Sequence, residues 1–373
     1  MKIGLNALSA TIGGGVTFVQ NLIPGLVAAG PDNEYIVYAA EEKYDDVFGS
    51  VKISDRVKIV KIRTYNLLIR IIQEQLLLPV LARRQRVDVL ICPANILSFL
   101  APCRKMLWIL NIYMYFDLRI KGESLFERMR FYLLRFLTTL SIMFSAQSIH
   151  ISNYSRETIL NMGRLKTRYG RGRTIYLGAD TAAFARRDGR SRADNYLFSV
   201  SSITRRKNYE LLIKAYNLLP AALQDAYKLV LTGEVSTEMK EYLLSFAADK
   251  LQDRIVFTGK VDFERLCGLY QNASIFVLPS LVEAFGLPVI EAMAAGLPVL
   301  VANSTALPEI AGDAGLVFDP YDEKDLAEKI NIVLSDEKLR YAMSLRGIER
   351  AKVFTWRNTS EKTLKYIDQL VEE

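Results

Sequence analysis

Two glutamates with seven residues between them, Glu283 and Glu291, frame the stretch of this sequence best suited to chemistry: Pro279-Ser-Leu-Val-Glu-Ala-Phe-Gly-Leu-Pro-Val-Ile-Glu. A carboxylate accepts two hydroxyl donors at once, so each suits a polyhydroxylated ligand. Between them, Gly286 permits a tight loop and a close backbone approach. Pro288 suits the first position of a helix, where a missing N–H costs nothing. A helix starting there offers free amides and a partial positive charge to a phosphate. The order carboxylate, amide cradle, carboxylate matches a sugar, a diphosphate and a ribose. Singly, each glutamate also has an ordinary reading. Glu in the first turn of a helix is favourable by dipole alone, and Glu283 can be an exposed loop charge.

A second chemical cluster is Ser201-Ser-Ile-Thr-Arg-Arg-Lys-Asn208, with three consecutive cations at Arg205, Arg206 and Lys207. Cations poised beside a departing diphosphate lower a barrier without a metal; the same run also reads as a basic surface loop. Near the start, Gly13-Gly14-Gly15 follows an apolar run. It is not GxGxxG, and it reads either as a simple turn or as a loop whose amides approach phosphate. The only histidine, His150, has no partner constellation and reads as a packed strand residue.

These residues need elements to position them. Apolar runs predict strands at Lys2 to Ala7, Tyr35 to Ala39, Val57 to Ile62, Val87 to Ile91, Met106 to Ile112 and Ser148 to Ile151. Helical spacing predicts helices over Val16 to Ala29, Leu67 to Arg84 and Leu125 to Met143. The second half repeats the grammar. Strands are expected at Asn195 to Val200, Lys228 to Thr232, Ile255 to Thr258, Ile275 to Leu278 and Val299 to Ala302. Helices are expected at Tyr209 to Leu218, Thr237 to Lys250, Phe263 to Asn272 and Pro288 to Ala295. This alternation predicts two tandem, doubly wound α/β domains facing a central cleft. The boundaries expected are 1–185, 186–355 and an amphipathic terminal helix over 356–373; packing back on the first domain is one option for it, and the sequence alone does not say which domain it packs on.

The 373 residues suit two domains and carry a net charge of +7. Residues 1–180 hold 24 Lys/Arg against 14 Asp/Glu, and the remainder 24 against 27. The basic excess thus belongs to the first half and favours anionic partners there, such as a lipid headgroup surface or a diphosphate-linked molecule. Nucleic acid is not expected, because no recognition motif accompanies the charge. Three scattered cysteines and no CxxC argue against a disulfide framework or a zinc site. Residues 136–154 contain no charge but too many polar groups for a membrane span, and read as a helix followed by a strand. Leu67 to Arg84 is apolar and basic; it reads as a core-facing helix or as one that grazes a membrane. A cytoplasmic protein, at most peripheral on the membrane's inner face, is expected.

The string around Glu283 and Glu291 strongly resembles the retaining glycosyltransferases of family four, which have the two-domain GT-B fold. The resemblance extends through Asn303 to Pro320, Val256 to Val261, Tyr270 to Ala273 and the glycine-rich start. It implies transfer of a sugar from a nucleotide-sugar donor to a glycan or lipid-linked acceptor, in polysaccharide or glycolipid assembly, without a metal or other cofactor. It implies catalytic roles for Glu283, Arg206 and Lys207, with Arg205 as a rival. Donor contacts are implied at Gly14, Gly15, Asn111, Ser202, Arg205, Gly259, Val261, Ala284, Phe285, Gly286, Leu287 and Glu291. Two departures stand out. Many relatives have Gly-Arg where this chain has Ser201-Ser202, and many have His where it has Asn111, followed here by Tyr115-Phe-Asp117. The rivals are a nucleotide-sugar epimerase on the same scaffold, a NAD-dependent oxidoreductase, which lacks its fingerprint here, and a degenerate sugar-nucleotide-binding subunit.

Overall fold

A computed structural model describes residues 1–10, 14–49, 54–93, 95–116, 125–162, 172–185 and 195–372. The chain forms two compact units. One comprises Met1–Gly178 with Trp356–Glu373; the other is Ala179–Thr355. The division thus falls seven residues before the position expected from composition, because a short helix, Thr181–Phe184, packs within the second unit. Part of the charged junction, residues 186–194, lies outside the described residues.

The first unit holds a seven-stranded parallel sheet. Its strands are β1 (Lys2–Ala7), β2 (Glu34–Ala40), β3 (Val57–Ile62), β4 (Val89–Cys92), β5 (Arg104–Ile109), β6 (Gln147–His150) and β7 (Gly172–Thr174). Their spatial order is β3-β2-β1-β4-β5-β6-β7. Val89–Cys92 is buried throughout, as a parallel strand covered on both faces must be. β5 ends three residues earlier than its apolar run predicts, because the chain turns at Asn111. β7 is too short to announce itself by periodicity. The helix Trp356–Glu372 packs on Gly14–Ala29 through Ser360, Leu364, Ile367 and Leu370. Its first residue, Trp356, lies 6.3 Å from the Phe18 ring, which in turn lies 4.8 Å from Trp108.

The second unit holds six parallel strands: β8 (Tyr196–Val200), β9 (Lys228–Thr232), β10 (Ile255–Gly259), β11 (Ile275–Leu278), β12 (Val299–Ala302) and β13 (Gly315–Phe318). The order is β10-β9-β8-β11-β12-β13. The order reverses between β8 and β11, and open α/β sheets bind ligands beyond the carboxyl ends of strands at such a switch point. The helix expected to run to Lys250 stops at Leu244, and a 3-10 turn follows at Asp249–Arg254.

The segment Leu67–Arg84 is not a simple core-facing helix. A π-helical turn, Gln73–Leu77, interrupts it. Glu74, Leu78, Pro79 and Ala82 face inward, while Leu67, Leu68, Ile71, Ile72 and Leu76 are exposed. Among the described residues no helix is long and apolar enough to cross a membrane.

Candidate functional site

Two loops leave the switch point of the second sheet. The first, Ser201–Asn208, follows β8. Its backbone is tied to the β9 loop by Ser201 N donating to Thr232 O (3.0 Å) and Ile203 N donating to Glu234 O (2.9 Å). That closeness needs Gly233, whose φ is +138° and where a Cβ would sit 1.8 Å from Ser201 O. At the loop's end, Asn208 adopts φ 56° and its amide donates to Pro320 O at 2.8 Å. Asparagine tolerates this left-handed conformation better than most residues. The second loop, Pro279–Gly286, follows β11. It is joined to the first by Leu281 N donating to Arg206 O at 2.9 Å.

This stitching brings Lys207 and Glu283 together. The Lys207 Nζ donates to Glu283 Oε1, and each residue is only 9% exposed. Glu283 is further held by its own backbone amide, which donates to Thr305 Oγ1 at 2.9 Å. Both charges are therefore withdrawn from water and fixed in orientation. Arg206 lies half-buried beside Lys207 in sequence. Arg205 turns elsewhere: its guanidinium stacks 4.5 Å from the Tyr242 ring centre, and Tyr242 donates to Glu210. The geometry thus separates the three cations.

Beyond Glu283, Ala284 and Phe285 are buried, and Phe285 meets Phe354 edge-on at 5.9 Å. Gly286 has φ +117° and begins the helix Leu287–Ala294, so Pro288 takes the second helical position rather than the first. Glu291 sits one turn inside. Its Oε2 accepts from Tyr270 OH at 2.6 Å. Burial pushes the Glu291 carboxyl up to about 7, partly offset by that hydrogen bond. Tyr270 is itself locked among Phe184, Phe198 and Phe276, with ring centres 5.0–5.6 Å away. Gly259 ends β10 and its carbonyl accepts from Gly233 N at 3.0 Å; Val261 follows it, partly exposed, and Ser202 is exposed.

In the first unit, Gly14 and Gly15 open the helix Gly14–Ala29 after β1; Gly13 lies outside the described residues. Neither has positive φ, and a Cβ on Gly14 would meet nothing within 4 Å. The fold of this unit therefore does not itself demand glycine at 14. Asn111 follows β5 and is exposed. Its Oδ1 accepts from Tyr113 N at 2.8 Å, closing its own turn. Asp117 lies outside the described residues. His150 is fully buried on β6, where desolvation, helped by the nearby Arg156, lowers it to about 3. It is a packed strand residue.

Sequence reasoning missed four positioning residues: Thr305, Tyr270, Asn208 and, in the first unit, Asn95. Asn95 has φ 71°, and its Oδ1 accepts from Leu110 N (3.0 Å) and Asn111 N (3.2 Å). An asparagine nine residues ahead of a strand gives no periodic signal. Tyr270, by contrast, opened a string that carried the resemblance.

Residues 181–350 match the family "Glycosyl transferases group 1". Over 188 residues the chain is 35% identical to the serotype-specific mannosyltransferase WbdA of Escherichia coli, covering 50% of this chain and 23% of that protein. It is 38% identical over 169 residues to the O-antigen chain mannosyltransferase B of Escherichia coli, covering 45% and 44%. The chain therefore spans less than half the length of these curated relatives. Sucrose-phosphate synthase from Thermosynechococcus elongatus superposes with a TM-score of 0.79 at 19% identity, covering 99% of each chain. The fold is that of the GT-B glycosyltransferases.

Proposed function

We propose that this protein is a retaining glycosyltransferase that moves a hexosyl group from a nucleotide-sugar donor to a hydroxyl of a glycan or lipid-diphosphate-linked acceptor. The observation that carries this reading is the buried Lys207–Glu283 pair at the switch point of the second sheet. Beside it lie a helix N-terminus at Gly286 and a second carboxylate at Glu291. Glu283 accepts hydroxyls of the donor sugar. The amides of Ala284, Phe285, Gly286 and Leu287 cradle sugar and phosphate. Glu291, oriented by Tyr270, grips the ribose, while Gly259 and Val261 border the base. Ser202 borders the phosphates, while Arg205 is engaged on the Tyr242 ring.

In the reaction the bond between the sugar's anomeric carbon and the phosphate oxygen breaks, and its electron pair leaves with the diphosphate. The acceptor oxygen attacks the same face, and its proton passes to the leaving phosphate. Arg206 and Lys207 neutralise the charge that accumulates there. Fixed cations in a water-poor site perform this work with little reorganisation, and positioning supplies much of the rest. Lys207 holds the sugar-binding carboxylate in the free protein, so donor binding places its ammonium between that carboxylate and the diphosphate.

The likeness to proteins named mannosyltransferases makes a mannosyl donor the first candidate. The basic first half supports an acceptor carried on an anionic membrane surface. Thermal unfolding of the purified protein with UDP-, GDP- and dTDP-linked sugars tests the donor site, since ligands that bind only the folded state raise the melting temperature. A shift with one donor that disappears in Glu291→Ala supports the assignment. No shift with any donor, and no nucleoside diphosphate released with acceptor extracts, sinks it.

A further inference from the structure

The first unit exposes an apolar face that its own fold does not use. Leu67, Leu68 and Leu76 are 58–68% exposed on the segment Leu67–Arg84. Met129, Tyr132, Leu133 and Phe136 are 57–62% exposed on the helix Leu125–Phe144. The two segments are parts of one surface. Gln75 Nε2 donates to Leu97 O (2.9 Å), and Leu97 N donates to Ser141 Oγ (3.0 Å). Phe99, whose amide donates to Gln75 Oε1, packs edge-on against Phe144 at 6.0 Å. Leu100, 62% exposed, projects from the same connecting loop.

Scattered exposed leucines need no explanation, but a contiguous apolar face on a soluble fold marks an interaction surface. Its charges indicate the occupant. The two segments carry six arginines (70, 83, 84, 128, 130 and 135) and two glutamates. One glutamate, Glu74, is turned inward, 3.9 Å from Arg70. Apolar side chains with an arginine-rich rim match acyl chains beneath anionic headgroups.

We propose that this two-segment face seats the first unit on an anionic lipid bilayer, with Leu67, Leu68, Leu76, Tyr132, Leu133 and Phe136 entering the headgroup boundary and the exposed Arg83, Arg84, Arg128 and Arg130 contacting lipid phosphates. This rests on the reading that the acceptor lies at a membrane, and it names the surface that reaches it. The π-helical turn contributes by burying Glu74 while leaving Leu76 and Leu77 outward.

The test is flotation of the intact protein with phosphatidylglycerol-containing vesicles and with pure phosphatidylcholine vesicles. The wild type floats with the anionic vesicles, and part of the binding survives high salt, because apolar insertion is not screened. Leu68→Ser/Leu133→Ser/Phe136→Ser lowers binding by at least about tenfold and removes the salt-resistant fraction. Arg83→Ser/Arg84→Ser/Arg128→Ser lowers binding at low salt by a similar factor. All six positions are exposed, so both variants keep the wild-type melting temperature and the donor-induced shift. That shift reports the donor site separately, so failure of the lipid face is distinguishable from failure of the donor assignment. Absence of flotation at low salt overturns the proposal. So does flotation unchanged in both variants. A dimer seen by ultracentrifugation and broken by the apolar substitutions, with no lipid binding, assigns the face to a second copy instead.

Discussion

The carboxyl rims of the two sheets share a topology and differ in finish. On the second, the two carboxylates of the candidate site and the loops beside them are tied down: Lys207 to Glu283, Glu283 to Thr305, Glu291 to Tyr270, loop to loop through Leu281 and Arg206. On the first, Gly14 faces open space, and Asn111 is exposed with its side chain spent on its own turn. A rim that must stabilise developing charge is preorganised, because reorganisation at the moment of reaction would cost rate. The first rim offers room rather than rigidity.

The sharpest way to break this comparison is turnover. Glu283→Gln and Lys207→Gln should each lower kcat by about 100-fold or more, on the scale of losing a preorganised charge contact. Asn111→Ala should cost roughly tenfold or less. If Asn111→Ala proves the more damaging, the first rim is the catalytic one. Because Lys207 and Glu283 are buried together, each single change also leaves a charge uncompensated, at about 3–5 kcal/mol. The double substitution Lys207→Gln/Glu283→Gln should recover much of that stability in denaturant unfolding while staying inactive.

Glycines sharpen it next. Gly233→Ala should destabilise the second unit by more than the ~1–3 kcal/mol of backbone strain alone, since the new Cβ overlaps a carbonyl. Gly14→Ala should leave the melting temperature level or higher, because alanine is the better helix former by up to ~1 kcal/mol. Equal melting temperatures for the two variants would refute the contrast.

Acidity supplies the third and fourth tests. The folded Glu291 carboxyl keeps its proton up to about 7, against 4.5 ordinarily. The stability it contributes is therefore fully present below about 4.5 and is lost as pH rises to about 7. On the proposed role of Glu291, ribose binding should gain over the same interval, because the ionised form accepts two hydroxyls. Calorimetric donor affinity should rise through neutrality in the wild type and stay flat in Glu291→Gln. His150 acts in the opposite sense. Its folded value near 3 lies below the ordinary 6.5, so stability falls as pH drops through that interval. His150→Leu should remove that slope from the acid limb of the unfolding curve.

Much of the second unit was legible because its signals are local. Strand, glycine, proline and glutamate follow one another within a score of residues around Gly286, and each constrains its neighbour. Lys207 and Glu283 are 76 positions apart; their contact depends on strand order, which sequence spacing does not encode. Tyr270 and Thr305 were invisible as positioning residues for the same reason. In the first unit, Leu67 to Arg84 stayed open between a core-facing and a membrane-grazing helix, because hydrophobic periodicity reports which residues are apolar, not whether anything covers them. The π-helical turn shifts the register at Glu74, and no residue there advertises it.

The helix Trp356–Glu372 belongs to the first unit although the whole second unit precedes it in the chain. The second unit is therefore, topologically, an insertion into the first. During synthesis the second unit can complete its sheet while the first still lacks the helix that covers Gly14–Ala29. The order of maturation is thus the reverse of the order of translation. A truncation removing residues 356–372 would leave Phe18, Leu22 and Leu26 without their covering helix and the donor-site loops covalently intact. If the second unit carries the donor site as proposed, such a chain should keep its nucleotide-sugar binding while its first unit is weakened.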